Sequence, residues 1–275
     1  MAAQSSKKRT LLCIVIPLLL LLAAGYLLMW HRIRTNLQDA EAEAQYAVFT
    51  LDDAVYEECS LGIVQLYAPE ITGITKEICG ESAGSARFSE EEYPLYRLLA
   101  LEAEGKRDGI LVMEKEGVLR CYELTGFLSL ADSPSITDVC QVYGIQSAED
   151  IRSVSVTEAD GTPIDTMTNP EDISGFYQKF AALGESLSDA EQAKAYYDVY
   201  AEKYGDTDDL TIEGASLTAN SEEANERAYA LWGEGMCMVG LELSNGLRIS
   251  DMVYAPVPRI FSVFGNYRLT EAFFS

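Results

Sequence analysis

The chain has 275 residues, of which 20 are basic, 44 acidic and one a histidine, giving a formal charge of −24. Five basic residues (Lys7, Lys8, Arg9, Arg32 and Arg34) and no acidic ones precede position 35, so the remainder sets fifteen basic residues against 44 acidic, a formal charge of −29. A surface of that sign repels phosphate backbones and anionic lipid, which excludes a nucleic-acid partner, and an apolar share of 48% excludes a disordered stalk.

Residues 1–10 form a short basic tip. The run Leu11–Trp30 (LLCIVIPLLLLLAAGYLLMW) carries no charge, and as a helix it measures about 30 Å, the thickness of a bilayer core. It reads as a single-pass signal-anchor helix. The basic residues before it favour a cytoplasmic amino terminus, which places residues 35–275 outside the cell membrane. Ala23 and Gly25 could serve a signal-peptide cleavage site, but Tyr26–Trp30 continue the apolar run past them, and Trp30 ends it as interfacial aromatics do. A ten-residue inner tip is too short to fold, so any signal passed inward requires a partner. Residues 31–46 are rich in helix formers and read as a juxtamembrane helical stalk.

From Ala47 short apolar runs alternate with turn residues. Val64–Tyr67 and Ile71–Ile78 read as strands. Ser89-Glu90-Glu91-Glu92 has the form of a capping box, and Leu95, Leu98 and Leu99 supply an apolar face, which predicts a helix over 90–104. Ile110–Lys115 and Val118–Leu124 flank Glu116-Gly117, Ile151–Thr157 and Ile164–Thr168 flank Asp160-Gly161, and Met236–Leu243 and Leu247–Tyr254 flank Asn245-Gly246. Each pair predicts a hairpin, because glycine supplies the positive φ that tight turns need. Helices are predicted over Ser135–Tyr143, from Asn169-Pro170 to Gly184, over 189–204 and from Ser221 to Trp232.

A faint echo links Ser89-Glu90-Glu91 and its hairpin to Ser221-Glu222-Glu223 and its hairpin, each followed by Leu-Arg. The predicted fold is α+β: the transmembrane helix, then antiparallel hairpin sheets with helices packed on one face. The outer part divides into α+β subdomains at 47–145 and 146–275, or forms one continuous domain.

Five cysteines lie outside the apolar run: Cys59, Cys79, Cys121, Cys140 and Cys237. Their spacing matches no zinc framework. In an oxidising compartment Cys59–Cys79 or Cys121–Cys140 could pair, and buried free thiols are the alternative.

Gly80-Glu81-Ser82-Ala83-Gly84 matches the nucleophile elbow of esterases, but the lone histidine, His31, precedes it, whereas the hydrolase order places histidine last. Asp206, Asp208 and Asp209 form the densest carboxylate cluster and are the candidate metal ligands, although Thr211 and Leu217 stand where a calcium loop needs Gly and Glu. Tyr196, Tyr200 and Tyr204 recur every four residues along one helix. Such a stripe can stack on a sugar or anchor a partner, or form a packed helix face. The terminal aromatics Phe261, Phe264, Tyr267, Phe273 and Phe274 are expected to dock the tail on the sheet. No cofactor is implied.

The segment SVSVTEADGTPIDTMTNPEDISGFYQKFAAL resembles one found in uncharacterised membrane-anchored extracytoplasmic proteins of bacteria. The resemblance covers about 35 residues and implies the location and the fold class, with no activity. The expectation is therefore a membrane-anchored extracytoplasmic α+β domain with a binding or interaction role toward a protein or glycan. The alternatives are a carboxylate-based hydrolase of cell-wall glycans and a structural accessory subunit of a membrane complex.

Overall fold

The computed structural model describes residues 47–274 apart from Ser89, Glu90, Asp132, Asp206, Gly214, Ala215 and Glu271. The apolar run, the stalk and the Ser89 cap therefore lie outside the described residues. Among the described residues no helix is long and apolar enough to cross a membrane. The fold is α+β, built mostly from antiparallel sheet.

The chain opens with β1 (Val48–Leu51), β2 (Ala54–Cys59) and helix α1 (Leu61–Tyr67), followed by a 3-10 turn at Lys76–Ile78. Then come β3 (Cys79–Phe88), β4 (Glu91–Leu98), the short helix α2 (Leu99–Ala103), β5 (Ile110–Lys115) and β6 (Val118–Phe127). The six strands form one sheet in the order β1-β2-β6-β5-β4-β3. The turn between β5 and β6 has positive φ at both Glu116 (52°) and Gly117 (81°), the twist that lets two strands reverse without splaying.

Three sequence expectations fail in this half. Residues 61–67 are helical because only one side is needed: Val64 is fully buried, and with Ala68, Ile71 and Ile78 it covers Leu98, Leu101, Ile110, Val112 and Cys121. Residues 71–78 are loop and 3-10 turn, used to lay Ile71 and Ile78 onto that cluster. The helix predicted over 90–104 is mostly strand β4, with helix only at Leu99–Ala103. Strand β4 lies between β3 and β5 and buries residues on both faces, Tyr93 and Leu95 on one and Leu98 on the other. Two apolar faces blur the period-two pattern into one that mimics a helix. The ladder to β5 begins at Leu95, one residue past Pro94, which has no N–H to donate. The echo between the two halves loses its first helix with this change, since Leu99–Ala103 has five residues against twelve in its counterpart.

The second half runs through α3 (Ile136–Tyr143), β7 (Ile151–Thr157), β8 (Pro163–Met167), α4 (Pro170–Ala181) and α5 (Asp189–Tyr204). It continues with β9 (Leu210–Glu213), β10 (Ser216–Ala219), α6 (Glu222–Gly233), β11 (Cys237–Leu243), β12 (Arg248–Ala255), β13 (Ile260–Ser262) and β14 (Asn266–Arg268). Strands β9 and β10 form a small hairpin, and the others form a second sheet in the order β14-β13-β12-β11-β7-β8. The helix starts follow from their caps. Ser135 and Ser188 close capping boxes with Asp138 and Glu191, Asn169 accepts from the Asp172 N–H ahead of Pro170, and Ser221 accepts from Ala224. Each such cap contributes about 1 kcal/mol. The tail docks as expected: Phe273 stacks on Phe261 at 4.7 Å and meets Phe176 edge-on at 5.5 Å, while the buried Tyr267 hydroxyl donates to the Pro134 carbonyl at 2.7 Å.

The β11–β12 turn joins the two sheets. Asn245 accepts from the Arg107 N–H through its main-chain carbonyl (2.9 Å) and donates through Nδ2 to the Tyr143 carbonyl (2.8 Å). Its Oδ1 accepts from the Leu247 N–H at 3.0 Å, which shapes the turn itself. Gly246 has φ +88°, and a Cβ there would stand 2.6 Å from Lys106 Cβ. Replacing Gly246 by Ala is expected to cost about 2–3 kcal/mol in denaturant unfolding. Gly161→Ala, at φ +87° with nothing within 4 Å, should cost about 1 kcal/mol. Equal losses for the two variants would show that the turn does not press on Lys106.

Candidate functional site

At the junction lies a cleft of about 450 Å³. Ala54 and Tyr56 of β2, Arg97 of β4, Leu124 and Phe127 of β6, and Leu247 beside the β11–β12 turn contribute to it, together with Glu102 and Gly105–Asp108 after α2. The chain reaches this place because α2 stops after one turn. The Gly105 N–H bonds to the Glu102 carbonyl and the Lys106 N–H to Leu101, and Gly105 takes φ +67°, so the backbone reverses and presents Lys106, Arg107 and Asp108 in succession.

Cations gather here although the surrounding chain is acidic. Arg97 donates from Nε to both Asp108 carboxylate oxygens at 3.1 Å, which leaves its terminal nitrogens without a hydrogen-bond partner among the described residues, although Glu102 and Glu81 lie close enough to act on its charge. Lys106 pairs with Glu104. Arg107 donates to the Val142 carbonyl at 3.2 Å and lies 6.0 Å from the Phe127 ring centroid, with no carboxylate partner among the described residues. The carboxylates of Glu102 and Asp108 also line the cleft, and Leu124, Phe127 and Leu247 supply its apolar wall. The Tyr56 hydroxyl donates to the Asp108 carbonyl at 2.8 Å and is nearly fully buried. Burial, with Asp108 nearby, pushes its phenol well above the ordinary range, so it remains a neutral donor that pins the loop. The volume fits a small ligand, and the free guanidinium donors fit an anionic group on it.

The residues singled out by sequence lie elsewhere. Tyr200 is buried against Leu210, Ala224 and Leu231. Its ring centroid is 4.8 Å from that of Tyr204, whose ring is flanked by Lys203 and Arg227. Tyr196 is half-buried, and desolvation raises its phenol. Tyr200 and Tyr204 thus pack α5 onto the β9–β10 hairpin and α6. Asp208 and Asp209 are exposed in the turn before β9, and Asp206 lies outside the described residues. Among the described residues no three or more His, Cys, Asp or Glu side chains gather as a metal-binding group. Ser82 sits within strand β3, where its Oγ accepts from the Gly84 N–H at 3.3 Å and no helix follows. All five described cysteines are free thiols, and neither Cys59–Cys79 nor Cys121–Cys140 is bridged.

The cleft itself had one signal in the sequence. Lys106-Arg107 is the only adjacent pair of basic residues after position 35, and it sits between Gly105 and the Asp108-Gly109 turn. Comparison of the chain with protein-family models, curated proteins and solved structures finds no match.

Tyr56→Phe removes the hydroxyl that holds the Asp108 carbonyl and is expected to cost about 1 kcal/mol in denaturant unfolding. Tyr229→Phe, at a ring 72% exposed, is the reference and should cost little. Indistinguishable midpoints would remove the hydroxyl from the account of the loop.

Proposed function

We propose that the chain is a membrane-anchored extracytoplasmic binding protein whose α+β domain captures a small anionic molecule, a carboxylate or phosphate ester with an apolar body, in the cleft between Arg97 and Arg107. The observation that carries this reading is Arg107. In a region of formal charge −29 its guanidinium has no carboxylate partner among the described residues, at a cleft that also offers the free end of Arg97. A charge-assisted hydrogen bond contributes about 1.5–3 kcal/mol when it is well formed, enough for two or three of them to hold a small anion. The acidic surroundings oppose this at long range and turn away polyanions, so the ligand carries few charges and its affinity varies with salt. The apolar run Leu11–Trp30 supports the anchor, and the bias of Lys7, Lys8 and Arg9 supports an external domain with helices over one face of its sheets.

The test is thermal melting of the full chain in detergent against inorganic phosphate, glycerol phosphate, succinate and benzoate. At a hundredfold excess over its dissociation constant a bound anion stabilises by about 2.7 kcal/mol. Arg107→Glu is expected to weaken that anion at least tenfold, about 1.4 kcal/mol, whereas Asp108→Asn, which releases Arg97, should tighten it. A flat response to every anion, or a response that Arg107→Glu leaves intact, would remove the cleft from the function. A phosphatase fused after Ser275 should be active only if the carboxy terminus is outside the cell.

A further inference from the structure

We propose that Cys59 and Cys121 are the site of an intramolecular disulfide that clasps β2 to β6 across the first sheet. The two residues are direct register partners in the antiparallel β2–β6 pair. Opposed residues in such a pair have Cα atoms about 4.5 or 5.5 Å apart, and disulfides span roughly 4.4–6.8 Å. Sequence separation does not suggest this match, and no other two described cysteines share it. Cys79 stands opposite Leu98 and Cys237 opposite Tyr254, while Cys140 lies in α3.

Both side chains also point to one side of the sheet. Cys121 is buried in the cluster under α1, and Cys59 packs against that cluster from its edge. The more accessible Cys59 is therefore the first to react. Its thiolate attacks a small disulfide such as oxidised glutathione, forming a mixed disulfide and releasing one thiolate. The Cys121 thiolate then attacks the Cys59 sulfur, closing the bridge and releasing the second. Two protons leave the protein, and one donor disulfide is reduced to two thiols. Burial pushes both thiols up to about 12, so the uncatalysed reaction is slow at neutral pH and accelerates as pH rises. Cys79 packs against the same cluster and is the competing partner.

The bridge encloses α1, β3, β4, α2 and β5, and with them Arg97, Lys106 and Arg107. It ties β2, which carries Tyr56, to β6, which carries Leu124 and Phe127. Its formation in cells rests on the external location proposed above, whereas its geometry does not.

The experiment treats the full chain in detergent with oxidised glutathione, alkylates the unfolded protein with N-ethylmaleimide and maps its peptides. Two of the six cysteines are expected to escape alkylation, joined as a Cys59–Cys121 peptide. Cys79→Ser should retain the bridge and Cys59→Ser abolish it. The oxidised protein should melt about 5–10 °C above Cys59→Ser treated in the same way. A bridge that includes Cys79, glutathione adducts alone, or six alkylated thiols would overturn the proposal. Alkylation of intact cells before lysis separates the two ideas. A bridge that forms with glutathione but is absent in cells counts against the external location and leaves the disulfide site standing, and a bridge present in cells supports both.

Discussion

The fit of the Asn245-Gly246 turn against the 105–109 loop is the contact on which the arrangement of the two sheets depends. It is a constraint of space as much as of bonding. Gly246 lets the turn press on the Lys106 stem, Gly109 leaves room beneath the Gly246 carbonyl and the Tyr67 ring, and Gly144 admits the Asn245 amide. Three glycines thus surround one asparagine whose carbonyl and amide nitrogen bind the Arg107 N–H and the Tyr143 carbonyl. Beside them Ser244 donates twice, from its N–H to Asp150 and from its hydroxyl to Glu149. Arg248 reaches the Leu66 carbonyl from below the turn while lying over the Tyr67 ring. None of these bonds is worth more than about 1.5 kcal/mol, or up to about 3 where a charge takes part. Together they hold a short backbone segment from two sides.

The cleft follows from that fit. Its cationic wall belongs to the first sheet, yet the loop bearing Lys106 and Arg107 keeps its shape because a turn of the second sheet braces its backbone. Electrostatics alone would not have produced it. In a chain this acidic, most basic side chains find a carboxylate: Lys76 pairs with Glu114, Arg120 with Glu58, and Arg152 and Arg248 both reach Glu242. Those pairs are exposed or half-exposed and contribute little to stability individually. Arg107 departs from the pattern because its guanidinium is drawn to a backbone carbonyl and an aromatic face instead.

Local chemistry was legible in the sequence where one short stretch decides the outcome. Glu116-Gly117, Asp160-Gly161 and Asn245-Gly246 fix three hairpins through positive φ at glycine and, in the last two, a side-chain acceptor within the turn, and Ser135, Asn169, Ser188 and Ser221 each start a helix by supplying an acceptor to its first turn. The misread segments are those whose partners are distant. Residues 61–67 became a helix because a bare sheet face awaited Val64, and β4 hid its alternation because both of its faces are covered. The cleft was harder still to read. Tyr56, Arg97, Arg107, Phe127 and Leu247 come from five separate stretches, and only the Lys106-Arg107 dipeptide marks the place in one dimension. The tyrosine stripe was legible as a pattern, and burial of Tyr200 among aliphatic side chains shows the packing half of its two readings.

The order of strands in the second sheet bears on how the chain reaches its native state. Strand β7 forms a hairpin with β8 at once, yet its other edge waits for β11, with Val156 opposite Val239 across three helices and the β9–β10 hairpin. Pairing at that separation is slow, since the entropy of closing the intervening chain is lost before any contact repays it. The thermodynamic penalty is mild by contrast, growing only with the logarithm of length, by about 0.6 kcal/mol for each doubling. The excursion from β8 to β11 is therefore a region where evolution can insert or delete residues cheaply at equilibrium, while the time needed to complete the sheet sets the practical limit.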